Sequence, residues 1–114
     1  MKSALAYLHV NCGGCHNDEA VRLATQTKLR LRLLVSQTAP EETGAYTTSR
    51  GLVMKHPLAN GTVTEVLVPG DPDHSGMWVR MGLRDFYAMP PVGTKLVDDT
   101  GRETIRQWIA GLPP

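Results

Sequence analysis

Residues 10–18 read VNCGGCHND and contain both cysteines of the chain. Cys12 and Cys15 are separated by Gly13 and Gly14, and His16 follows directly. Paired thiols at this spacing serve several chemistries, and the surroundings rank them. A disulfide here would close a very short loop and staple little. A thioredoxin-type redox pair follows a strand and opens a helix. This pair instead follows the helical pattern of residues 2–11 and precedes polar chain. A structural zinc site needs four ligands, and there is no second cysteine pair. His9, His56 and His74 are the other imidazoles, and their spacing is irregular.

The remaining chemistry fits best. Cys-x-x-Cys-His is the attachment pattern for c-type haem. Two thiols bond the two vinyl groups at one edge of the ring, and the adjacent histidine supplies an imidazole to the iron. Gly13 and Gly14 let the backbone turn tightly without a side chain against the porphyrin. His16 is thus the expected proximal ligand, and Cys12 and Cys15 the expected tethers of one covalently bound haem c.

Working outward, residues 2–11 are predicted to be a short helix. Ala4, Leu5 and Leu8 form its apolar side, with Ala6 and Val10 as further candidates, and the glycine pair stops it. Residues 17–26 suit a further turn or two of helix, opened by Asn17 or Asp18. TKLRLRLLV, residues 27–35, alternates Leu29, Leu31 and Leu33 with Lys28, Arg30 and Arg32, the period of a half-buried strand or extended segment. SQTAPEETGAY reads as loop, broken at Pro40 and Gly44. Asn60-Gly61 between two apolar runs predicts a β-hairpin over about residues 51–68. PGDPDHSGMWVRMGL predicts a helix capped by Asp71, with Pro72 at its first position. Met77, Trp78 and Met81 share one of its faces. The closing segment predicts an amphipathic helix with Ile105, Trp108, Ile109 and Leu112 as one buried stripe. Its cap is either the Thr100 to Glu103 capping box or Asp98 or Asp99.

An iron held by one histidine needs an open sixth position or a second ligand, commonly a methionine thioether. AMPPVGT places Met89 in an irregular loop stiffened by Pro90 and Pro91. A rigid loop far along the chain is what a distal ligand requires, so Met89 is the leading candidate. Met77 and Met81 are the fallback, with core packing the simpler reading for both. Trp78 is expected at the haem edge or in the core. Arg80 and Arg84 are candidate partners of the haem propionates, with a solvated helix face the equal alternative. His56 and His74 read as surface residues or partners of polar groups. The Lys28, Arg30 and Arg32 run reads as the wet side of its segment.

Length and composition set the frame. The chain has 114 residues, the size of one domain, and is assigned as a single domain over 1–114. Such a length buries roughly 65% of its unfolded surface. With a single Phe, three Tyr and two Trp, the aromatic core is thin. A large cofactor would supply the missing apolar volume. The net charge of +1 gives no basic surplus for nucleic acid. No apolar run approaches the roughly 20 residues of a membrane span. The first ten residues run into the motif without room for a cleaved leader. The chain therefore reads as cytosolic, or as a mature or excised domain.

These features together resemble a class I c-type cytochrome. The resemblance lies in the N-terminal helix, Cys12-x-x-Cys15-His16, Met89-Pro90 and the C-terminal helix carrying Trp108. More narrowly, VPGDPDHSGMWVRM, MPPVGT, VDDTG and IRQWIAGLP look like domains of bacterial extracytoplasmic proteins that are fused to, or work beside, oxidoreductases. The resemblance covers residues 2–17 and 66–114; residues 18–65 depart from it as an insertion. It implies a mainly α fold with the first and last helices packed together around haem. It also implies His16 and Met89 as iron ligands, a periplasmic or otherwise extracytoplasmic location, and a redox partner protein or fused oxidoreductase domain. Many relatives have a proline soon after the histidine whose carbonyl accepts the ring N–H. That proline is missing here, leaving the backbone near Pro40 as the substitute. The implied function is one-electron transfer rather than catalysis. The alternative is a haem enzyme or gas or redox sensor with an open sixth position. With two propionates and a ferric porphyrin core of charge plus one, the loaded protein would be near neutral. Docking would then rest on an apolar haem edge or on tethering.

Overall fold

A computed structural model describes residues 2–19, 27–91 and 94–114 of the chain. The chain divides into two units, residues 1–52 and 53–114. Among the described residues there are four α-helices and one two-stranded antiparallel sheet, a mixed α and β composition. No described helix is long and apolar enough to cross a membrane.

In the first unit, α1 spans Lys2–Cys12 and buries Ala4, Leu5 and Leu8. Ala6 and Val10 lie on its exposed side. Gly13 ends the helix, its N–H donating to the carbonyls of Leu8 and His9 at 3.0 and 3.1 Å. The helical turns expected over 17–26 fall largely on 20–26, outside the described residues.

The leucine and cationic alternation of 28–33 produces an extended segment, with Leu29 and Leu31 buried and Lys28 and Arg32 exposed. Among the described residues it pairs with no strand, because its donors are already used. The N–H groups of Leu29 and Arg30 donate to the hydroxyls of Thr27 and Thr48, at 3.2 and 2.8 Å. Those of Leu31 and Leu33 donate to the His16 carbonyl at 2.9 Å and to His9 Nδ1 at 2.8 Å. These acceptors lie at four separate places in the chain, so no ladder forms among the described residues.

The stretch expected as loop is more ordered than its breakers suggest. Pro40 opens a single turn, Pro40–Glu42, and α2 follows over Gly44–Thr47. The buried Thr43 between them donates its hydroxyl to the Pro40 carbonyl at 2.7 Å. Gly44 is a close-approach position rather than a breaker: a Cβ there would lie 2.6 Å from the Arg30 carbonyl oxygen.

The second unit opens with the expected hairpin. Strand β1, Val53–Leu58, pairs antiparallel with β2, Val63–Glu65, through an irregular register. Ala59, Asn60 and Gly61 all have positive φ, at 50°, 56° and 87°, which is why the turn falls on the Asn-Gly pair.

The predicted helix after Pro69 is divided in two. Asp71 does cap, accepting the His74 N–H at 3.2 Å, and Pro72 does begin a turn, but that turn ends at His74. Helix α3 then spans Gly76–Met81. Ser75 causes the break. Its side chain accepts the Val68 N–H at 2.9 Å and donates toward the carbonyls of Asp71 and Val68, at 2.7 and 3.2 Å. Ser75 is fully buried. Ser75→Ala is expected to leave the Val68 N–H without its partner and to cost about 1–3 kcal/mol, read as a lower denaturant midpoint. A Cβ on Gly76 would force the Met54 thioether aside and approach the Glu65 carbonyl to 3.1 Å.

Helix α4, Asp99–Ala110, is capped by Asp98, whose Oδ1 accepts the Gly101 N–H at 2.9 Å. Ile105, Trp108, Ile109 and Leu112 form the expected buried stripe. The Gly70 N–H donates to the Ile109 carbonyl at 2.9 Å, which ties the segment before α3 to α4.

Candidate cofactor site

The CGGCH segment is a tight turn on the end of α1. The N–H groups of Cys15 and His16 both donate to the Cys12 carbonyl, at 3.1 and 2.9 Å. Both cysteines are free thiols; Cys12 is half-buried and Cys15 exposed. The two glycines differ in role. A Cβ on Gly13 would lie 2.7 Å from the His9 carbonyl oxygen and 3.1 Å from the Arg32 Cα, whereas Gly14 has nothing within 4 Å. Gly13 is therefore required by the chain's own packing, and Gly14 leaves an open approach. Gly13→Ala is expected to cost about 1–3 kcal/mol. Gly14→Ala is expected to stay within about 0.5 kcal/mol of wild type, both measured by chemical denaturation.

Asn17 closes the turn. Its side-chain Nδ2 donates to the Gly13 and Gly14 carbonyls at 2.8 and 3.0 Å, and its Oδ1 accepts the Glu19 N–H at 2.8 Å. It is buried. Beyond it, Asp18 pairs with Arg30 at 2.8 Å, and Glu19 lies 4.0 Å from Arg32. The cationic side of the 28–33 segment thus has acidic partners in the chain that follows the motif.

The His16 ring is held below its ordinary pKa, first by burial and then by the nearby Arg30 charge. The Leu29 backbone, facing the ring, acts in the opposite direction. The net effect favours a neutral imidazole at neutral pH, the form that ligates a metal. Its Nδ1 is buried and has no hydrogen-bond partner among the described residues. The backbone near Pro40, expected as the acceptor of the ring N–H, makes no hydrogen bond to it among the described residues. The nearby peptide group is Leu29. Burial, with a smaller contribution from Cys15, raises the Cys12 thiol to about 11. Redox-active thiols require the opposite shift.

In the second unit, the chain after α3 carries Met89, half-buried, in a loop joined to Pro90 by a cis peptide bond. The Met89 N–H donates to the Arg80 carbonyl at 3.1 Å. The Arg80 guanidinium donates to the His56 carbonyl at 3.2 Å and the Tyr87 carbonyl at 3.4 Å, and lies 5.7 Å from the Tyr87 ring centroid. Arg80 is therefore engaged with backbone of both the hairpin and the loop. Arg84 donates to the Met81 carbonyl at 2.6 Å and to the Thr94 hydroxyl, while its Nε is buried without a partner among the described residues.

Trp78 packs on α4. Its indole N–H donates to the Arg102 carbonyl at 3.0 Å, and the Arg102 guanidinium stacks 3.7 Å from its ring centroid. Met77 is buried and Met81 half-buried. His74 Nδ1 lies 2.8 Å from Asp71 Oδ2, within hydrogen-bond distance, and His56 is exposed. No cluster of three or more His, Cys, Asp or Glu side chains suited to a metal is present among the described residues.

The sequence reading gives Asn17 only as a candidate helix cap and Leu29 only as part of an apolar alternation, and it does not single out Ser75. Asn17 had one signal, its place directly after the motif, which also fits an ordinary helix cap. No protein-family model, curated protein or solved structure matches the chain.

Proposed function

We propose that this chain is a monohaem c-type cytochrome that transfers single electrons, free-standing or as a relay domain of a larger oxidoreductase. The observation that carries the reading is the His16 ring, whose Nδ1 is buried and without a hydrogen-bond partner among the described residues, directly after two free thiols; burial also holds its pKa below the ordinary value. An imidazole in that state is prepared to give one nitrogen to a metal and the other to a peptide carbonyl. The raised Cys12 pKa counts against a thiol–disulfide role for the same residues.

The donor set fits the group. Cys12 and Cys15 would tether it through Sγ, His16 would hold the iron on one side, and Met89 on the other. The haem itself supplies the one-electron ferric–ferrous couple. A thioether ligand favours the reduced state and so a positive potential. Arg80 and Arg84 are the candidate partners of the propionates; Trp78 and Arg80 also hold α3, α4 and the Met89 loop. On this reading the protein works outside the cytoplasm, where such haem is attached. Its partner is a redox protein or a fused oxidoreductase domain.

Absorption after denaturing extraction tests the reading directly. Haem colour that stays with the chain, at a mass increased by one haem, is expected; a colourless chain overturns it. Carbon monoxide separates carrier from sensor or enzyme. Slow binding, limited by loss of a protein ligand, is expected of the carrier. Immediate binding would favour an open sixth position.

A further inference from the structure

We propose that Asn17 is a positioning residue that holds the Cys12–Cys15 backbone in the one shape from which both sulfurs bond a single porphyrin, an inference that rests on the haem reading above. Each thioether forms by addition. The Sγ–H bond breaks, Sγ bonds one vinyl carbon and the hydrogen goes to the other, so no oxidant or reductant is consumed. The two vinyl groups are a fixed distance apart, and the loop between the sulfurs must match it.

Two consecutive glycines are the least able of all residues to hold such a match, because they have the widest backbone freedom. They also have no side chains through which neighbours could fix them. Asn17 supplies that restraint through their main chain, with one amide nitrogen donating to both glycine carbonyls at 2.8 and 3.0 Å. The Glu19 N–H, donating to Oδ1 at 2.8 Å, fixes which way the amide points. On its other side the loop is bounded by the His9 carbonyl oxygen, which at 2.7 Å is too close to admit a Cβ on Gly13, and by the Arg32 Cα at 3.1 Å, a tight contact. A residue serving only as a helix cap would accept forward N–H groups. The two donations back into the CGGC turn are what capping does not require.

The test compares reduced full-length wild type with Asn17→Asp, Asn17→Ala and Leu5→Ala, each incubated with ferrous haem without oxygen. The readout is the share of haem-bearing chain in which both cysteines, rather than one, are bonded, measured by peptide mass. Asn17→Asp keeps the volume and the acceptor for Glu19 but loses both donors. Leu5→Ala weakens the buried side of α1 and leaves the turn untouched. The expected result is a doubly bonded share reduced at least about threefold in both Asn17 variants, the scale of one lost hydrogen bond, and unchanged in Leu5→Ala. Equal shares in Asn17→Asp and wild type overturn the inference and leave the haem reading standing. An equal fall in Leu5→Ala overturns it also, by making the effect one of general stability. A wild type that forms no thioether at all overturns the haem reading, and the inference with it.

Discussion

His16→Ala is expected to reduce iron retention by at least about tenfold, because even a partner of a metal-bound histidine is worth about 10–100-fold in affinity. The same substitution should change the stability of the haem-free chain little. It removes a half-buried ring, but it also removes a buried nitrogen with no hydrogen-bond partner among the described residues. An unsatisfied buried polar group costs about 1–3 kcal/mol, which offsets much of the lost packing. A urea midpoint of the haem-free variant close to wild type, together with loss of haem from the loaded one, is the expected pair of results. A variant that keeps its iron as tightly as wild type would show that the ligand lies elsewhere.

Met89→Ala is expected to lower the reduction potential by on the order of 0.1 V and to make carbon monoxide binding immediate, since axial ligands set haem potentials over about 0.8 V. The backbone of the loop should survive, because the Met89 N–H, which donates to Arg80, is main chain. Potentiometric titration of the loaded protein reads the result. An unchanged potential with slow carbon monoxide binding would remove Met89 from the iron. Met81 and Met77 would then be the next residues to vary.

What could be read in advance was local. The stripe Ile105, Trp108, Ile109 and Leu112 is set by helical period alone, and all four residues are buried. Asn60-Gly61 carries its own turn chemistry, and the hairpin formed around it. The motif exposes its chemistry because its residues are contiguous. What could not be read was held by distant partners. The 28–33 segment has the right alternation for a strand, but its N–H groups go to His9, His16 and Thr48, choices no window of sequence contains. Ser75 looks like an ordinary helix-opening serine, and its contact with Val68 divides the expected helix. Gly44 has the composition of a breaker but serves close approach to Arg30. In each case tertiary contacts overrode a correct reading of local preference.

Arg80 carries a practical implication for anyone trimming this protein. Its side chain grips the hairpin at the His56 carbonyl and the segment before Met89 at Tyr87, while its own carbonyl receives the Met89 N–H. The hairpin looks like a removable decoration when read along the chain, yet it shares a single anchor with the loop beyond α3. A minimised version that deletes it would release that guanidinium and loosen the methionine it steadies. Miniaturisation should therefore leave the hairpin in place.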